Sequence, residues 1–360
     1  TRMDGGLGLT ITGMRNVTIK TEDPSKTYTG AFYGALKVTN CYGNVTVTNP
    51  HGAAVVYSLD VDNTAGTGNV TITGSRADGP ICAVGNFGSK VNIASNGDVK
   101  IENIVSIGPA QLNYQAVDGE LTVTNSKSVT TTGGASKVDI TSKGAVEIKS
   151  NDTKNVVGNG LSVNAGGAVT VTGGGADDAA AAAIKGDANI TAGGGVNVSN
   201  PDGIAVDGNL TIDSSTGVTV VGNTRRNAIR FGANITSSGA VNISNSRGIA
   251  VGGKLTVKNA SGTGDVTVTG TGNATLNNGA DITSRGAVSI TNSSGPAIFG
   301  GLNVEQSGGI TVTGSRASEP IITGNSTIKN TNKVEIINNE ISGKTALSIG
   351  LAKAVDGEII

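Results

Sequence analysis

Residues 233–254 read ANITSSGAVNISNSRGIAVGGK, residues 255–279 LTVKNASGTGDVTVTGTGNATLNNG, and residues 280–301 ADITSRGAVSITNSSGPAIFGG. The third line restates the first: GAVNISNSRG at 239–248 is answered by GAVSITNSSG at 286–295. Each line holds a short strand opening on Ala or Leu, a second of form V-x-[VI]-x, and a third of form A-[VI]-x-G. Self-similarity at a fixed period of roughly 20 to 50 residues marks a solenoid or array.

Working outward, the first apolar residue of strand one serves as a phase marker. It recurs at Leu9, Leu36, Leu59, Val91, Leu121, Val138, Leu161, Ala188, Leu210, Ala233, Leu255, Ala280, Leu302, Ser326 and Leu347. The spacing predicts an all-β chain, a parallel β-helix (β-solenoid) of about fifteen coils of roughly 24 residues with three short strands each. Within a coil, alternation predicts Val266, Val268, Val241 and Ile243 inward, with Thr267, Thr269, Asn242 and Ser244 outward. From Ala188 onward an Ala start alternates with a Leu start, so small and large side chains meet between levels. Asn200, Asn245 and Asn292 close strand two, each with a glycine three positions later. These residue types suit a sharp corner, and stacked asparagines are expected to form a hydrogen-bonded ladder. One coil buries too little apolar surface to fold alone, so coils stabilise one another.

The repeat makes residues 1–360 one β-helix domain. Residues 1–120 are less regular, with loops expected near Gly79-Pro80, Phe87-Gly88 and Gly108-Pro109, and residues 121–360 are regular. Gly174 to Ile184 is a further excursion, with a helical turn expected from Asp177 or Asp178.

Composition agrees with strands and turns. There are 56 Gly, no Trp, and aromatic residues make up 2% of the chain. The formal net charge of −1 offers no basic surface to nucleic acid. No apolar run reaches the ~18 residues of a membrane span, so no membrane insertion is expected. Cys41 and Cys82 fall out of phase, so a disulfide is not expected. Asn-x-Ser/Thr triplets such as Asn16-Val17-Thr18 and Asn234-Ile235-Thr236 recur on strands. Glycans in such numbers would crowd a stacked sheet, which favours a bacterial origin. The chain starts at Thr1 without a leader and opens and closes on full coils, so it is expected to be part of a larger surface protein.

Reactive constellations are sparse. The single histidine, His51, lies in a corner, and no cofactor or metal site is expected. Asp60-Val61-Asp62-Asn63 and Asp177-Asp178 lack a full calcium loop. Lys100 with Glu102, and Glu147 with Lys149 two coils on, read as charge pairs on one face. Arg225, Arg226 and Arg230 gather near one corner, where a solvated loop is the simpler reading. Outward Thr-x-Thr pairs suggest an ice-binding array, but Asn197/Ser199 and Asn242/Ser244 interrupt it. The best local ligand site is aromatic: Tyr28, Phe32, Tyr33, Tyr42 and Tyr57, whose rings offer platforms for sugar C–H faces.

The coils GAVxIxN-x-x-G and LTV-x-N…VTVTG resemble the right-handed parallel β-helix (pectin-lyase-like) repeats of bacterial surface and secreted proteins, adhesins among them. The resemblance spans nearly the whole chain. It implies a right-handed β-helix, an extracellular or cell-surface location and a glycan or cell-surface ligand as partner. The expected function is a non-enzymatic module serving as a rigid spacer or adhesive, glycan-contacting surface. The alternative is a polysaccharide-active lyase or glycoside hydrolase of the same fold, although the acidic and basic cleft of such enzymes has no counterpart in these residues.

Overall fold

The computed structural model describes residues 8–21, 32, 34–50, 54–55, 58–74, 90–105, 120–126, 129–134, 137–149, 156–174, 182–214, 216–259, 262–315, 320–339 and 358–359. The chain divides into two compact units, residues 1–152 with 156–170, and residues 153–155 with 171–360. Both are parallel β-solenoids, and the described residues contain no helix.

In the first unit one sheet stacks Gly8–Thr12, Ala35–Thr39, Leu59–Asn63, Lys90–Ser95, Glu120–Ser126, Lys137–Ser142 and Leu161–Ala165. A second sheet stacks Val17–Lys20, Val45–Thr48, Val70–Thr73, Val99–Val105, Val129–Gly134 and Val146–Lys149. Each strand pairs in parallel with its counterpart one coil on, Leu36 with Leu59 and Val45 with Val70, for example. Asparagines knit the coils where strand two begins. Asn44 N–H donates to Asn16 Oδ1 at 2.9 Å, Asn69 N–H to Asn44 Oδ1 at 2.9 Å, and Asp98 N–H to Asn69 Oδ1 at 3.0 Å. Asn16 and Asn44, read as glycan-acceptor triplets, thus have their side chains engaged in coil-to-coil bonding. Cys41 is buried, its thiol 3.8 Å from the carbonyl oxygens of Arg15 and Gly43; Cys82 lies outside the described residues.

The second unit is more regular. Its first sheet runs from Ala188–Ala192 through Leu210–Ser214, Ala233–Ser237, Leu255–Asn259, Ala280–Ser284 and Leu302–Gln306 to the two-residue strand Thr327–Ile328. Its second runs from Val196–Asn200 through Val218–Gly222, Val241–Asn245, Val266–Gly270, Ala287–Asn292 and Gly309–Gly314 to Lys333–Asn338 and Glu358–Ile359. The expected alternation holds: Ala188, Leu210, Ala233, Leu255, Ala280 and Leu302 are successive register partners. Val266, Val268, Val241 and Ile243 are buried while Thr267, Thr269, Asn242 and Ser244 point outward.

Two expectations need correction. The coil count differs slightly from the fifteen expected: among the described residues the last strand of the first sheet is the two-residue Thr327–Ile328, and Leu347 lies outside them. Among the described residues the third strand is not general: in the second unit it exists as Ala182–Lys185, Ile204–Asp207, Asn227–Ile229 and Ile249–Val251. Beyond these, single bridges carry the side onward, from Val251 to Leu276, Ile298 and Ile322. The expected loops at Gly79-Pro80, Phe87-Gly88 and Gly108-Pro109, and the helical turn at Asp177 or Asp178, lie outside the described residues.

At the strand-two corner, asparagine alternates with glycine from coil to coil. Asn200 pairs in register with Gly222, Gly222 with Asn245, and Gly270 with Asn292. The asparagines do not bond to one another as a ladder, because a glycine separates each pair. Instead each turns its own corner: Nδ2 donates to the carbonyl four residues on, Asn200 to Ile204 at 3.0 Å, Asn245 to Ile249 at 2.8 Å and Asn292 to Pro296 at 2.8 Å. The glycine makes room for the third side. A Cβ on Gly222 would lie 2.7 Å from Ala228 Cβ, closer than any packed carbon contact tolerates.

Candidate functional site

The second unit's third side carries a cleft of about 320 Å³ lined by Ile204, Asp207, Arg226, Asn227 and Arg230. Its origin is local. The connection from Gly222 to Ala233 is one residue longer than those from Asn200 to Leu210 and from Asn245 to Leu255, and Arg225 and Arg226 are exposed within it between buried Thr224 and the strand that opens at Asn227. That segment is fixed by the next coil. Asn245 Nδ2 donates to the Arg226 carbonyl at 2.9 Å, and Asn245 Oδ1 accepts from Thr224 N–H at 3.1 Å. Arg226 N–H donates to Thr224 Oγ1 at 3.2 Å, and Asn227 Nδ2 to the Arg230 carbonyl at 3.3 Å.

Electrostatically the cleft is cationic. Arg230 pairs with Asp207 at 2.9 Å, the side chains being 52% and 16% exposed, so the acid is shielded beneath the guanidinium. Arg230 Cζ also stands 5.4 Å from the centroid of the Phe231 ring, a cation–π arrangement. Arg225 and Arg226 are exposed, and neither guanidinium meets an acid among the described residues. Phe231 is 50% exposed. It lies between glycines, its N–H donating to the Gly208 carbonyl at 3.3 Å and its carbonyl accepting from Gly253 N–H at 2.8 Å, so no side chain on either neighbouring coil covers the ring at those positions.

Several of the other charged groups are paired. Lys100 meets Glu102 and Lys149 meets Glu147, each at 2.5 Å, on strands that both pair with the intervening Val129–Gly134. Asp60 is 3.3 Å from Lys37. Asp62 accepts from the hydroxyl and the N–H of Thr64 at 2.6 and 3.1 Å, and these bonds hold its carboxyl below the usual aspartate range. Among the described residues no three of His, Cys, Asp and Glu come together in a way that could hold a metal. The outer face of the second sheet, from Asn197 to Thr313, carries Asn, Ser, Thr and Val221 and no charge. Its Thr-x-Thr rows are interrupted at Asn197/Ser199, Asn242/Ser244 and Ser289.

Of the aromatic residues expected to form a ligand site, Phe32 is half-buried on the third side of the first unit, bridging Val55, and Tyr42 is exposed on the corner after Ala35–Thr39. Tyr28, Tyr33 and Tyr57 lie outside the described residues, as does His51. Arg225, Arg226 and Arg230 do share one region. Phe231, Asn227 and Asp207, which complete it, went unnoticed in the sequence; a phenylalanine among residues that are glycine in neighbouring coils was the available signal.

No helix among the described residues is long and apolar enough to cross a membrane. No protein-family model, curated protein or solved structure matches the chain significantly. The class the fold defines is therefore the parallel β-solenoid.

Proposed function

We propose that the chain is a non-enzymatic, extracellular or cell-surface β-solenoid module of bacterial origin, related to pectin-lyase-like repeats, that serves as a rigid, adhesive surface contacting glycans. The carrying observation is the state of the acids on its outer faces. Asp207 is shielded by Arg230, and Glu102 and Glu147 each hold their own lysine. Hydrolysis of a glycosidic bond needs two carboxyl groups facing one substrate, one of them protonated near neutral pH. A general acid needs its pKa raised, and the carboxyls of Asp62, Asp281 and Glu335 are instead held below their usual range by hydrogen bonds and lysine partners. Incubation with a panel of polysaccharides, followed by reducing-end and unsaturated-product assays, tests the reading. Binding without product is expected. Product formation that disappears in Asp207→Asn, Glu102→Gln or Glu147→Gln would establish the enzymatic alternative.

A further inference from the structure

We propose that the cleft lined by Ile204, Asp207, Arg226, Asn227 and Arg230 binds an acidic sugar, its carboxylate or sulfate held by Arg226 and its body extending toward the exposed Arg225 and Phe231 that flank the lining residues in the chain. This rests on the reading of the module as a glycan-contacting surface and names the chemistry of the contact. Three features of the cleft and of the residues that flank it converge on this.

The first is unspent charge. The Arg230 guanidinium is engaged by Asp207, whereas those of Arg225 and Arg226 meet no acid among the described residues. Guanidinium groups bind carboxylate and sulfate through paired N–H donors, a geometry that an ammonium cannot supply. The second is size. At about 320 Å³ the cleft exceeds what a lone inorganic anion fills and matches the lower range of small-molecule sites. The ligand therefore carries a body as well as a charge. The third is the exposed ring. Phe231 stands where the adjoining coils carry Gly208 and Gly253, and half of it faces solvent. An aromatic face next to a cation suits the C–H face of a pyranose bearing an anionic substituent. Asn227 adds an amide at the same rim for a ring hydroxyl. Asn245 holds the backbone at Thr224 and Arg226, which fixes the point from which the Arg226 side chain springs. A polynucleotide is disfavoured because the cationic region spans one cleft rather than a stripe, and the chain as a whole carries a net charge of −1.

The test is calorimetric titration of the full chain with a heparin-derived hexasaccharide, a galacturonate hexamer, cellohexaose and a short DNA duplex. It is repeated on Arg226→Ala, Phe231→Ala and, as a remote control, Lys258→Ala. At least one acidic oligosaccharide should bind and cellohexaose should not. Arg226→Ala and Phe231→Ala should each weaken binding about tenfold or more, with unchanged thermal unfolding, and Lys258→Ala should leave it unaltered. The sulfated and uronate arms distinguish the two anionic groups. Absence of binding to both acidic oligosaccharides overturns the site, as does binding indifferent to Arg226 and Phe231. DNA binding of equal strength, lost with Arg226 but indifferent to Phe231, overturns it in favour of plain polyanion attraction. All three failures leave the non-enzymatic reading standing, whereas that reading fails on product release.

Discussion

Asn245 and Gly222 are register partners on adjacent coils, and each makes the other possible. Gly222 leaves the space that Ala228 fills, while Asn245 ties the corner beyond it to the carbonyl oxygens of Ile249 and Arg226. Asn245→Ala removes these two bonds together with those its Oδ1 accepts from Thr224 and Arg247 N–H, leaving part-buried backbone groups short of a partner at a cost of about 1–3 kcal/mol. Gly222→Asn brings Cβ against Ala228 and costs about as much or more. Denaturant midpoints of the two variants check this, and the double exchange should not restore stability.

Deletion of Leu210–Lys254 removes two coils and puts Leu255 where Leu210 stood, above Ala188. Both alternations survive, because Gly270 then follows Asn200. The shortened chain should fold with a single cooperative melt by circular dichroism and lose acidic-sugar binding. Deletion of Leu210–Gly232 alone stacks Ala233 on Ala188 and Asn245 on Asn200. It should melt at a clearly lower temperature than the two-coil deletion.

Stability should fall in acid for a traceable reason. Asp281 accepts from Lys254 Nζ at 2.5 Å and from Asn303 Nδ2 at 2.9 Å, and the Lys254 contact above all holds its carboxyl below the usual range. Asp62 is held down in the same direction, by Thr64. A carboxyl with a lowered folded value is protonated first in the unfolded chain. Its stabilisation is therefore present above about pH 4 and lost as pH falls through the folded value. Thermal melts between neutral pH and pH 3 should show this decline, and Lys254→Met should flatten it.

Leu276 is fully buried and bridges Val251 on one side and Ile298 on the other. Leu276→Ala should cost about 2–5 kcal/mol, since neither neighbour can move into the gap without leaving its own coil. Thr267→Ala, on the outer face, should stay within about 0.5 kcal/mol of wild type by the same denaturant titration.

What the sequence disclosed follows from which positions alternate. On the two long sheets inward Val and Ile alternate with outward Thr, Asn and Ser, so phase and facing are legible at Val266–Gly270 without coordinates. The third side has no such alternation: Ile204, Ala205 and Val206 are all buried, and Ala183 and Ala228, the counterparts of Ala205 on neighbouring coils, pack against the strand-two corner at Gly173 and Gly222. A run of three buried residues carries no facing information, so strand and simple bridge look alike there. The cleft was half legible for a related reason. Arg225 and Arg226 are visible as charge, but their use depends on one additional residue in a connection and on Phe231 standing in a row of glycines. Both are comparisons between coils, and neither is a local motif.

Among the described residues of the second unit, coils are fastened to their neighbours through two separate ladders, whereas a connection such as 224–227 belongs to neither. Proteolytic cleavage there would sever the polypeptide yet leave both rows of inter-coil bonds intact on either side of the cut. Fragments produced in a protease-rich setting would stay assembled until denaturant separated them, so the second unit would tolerate nicking that disables an ordinary globular domain.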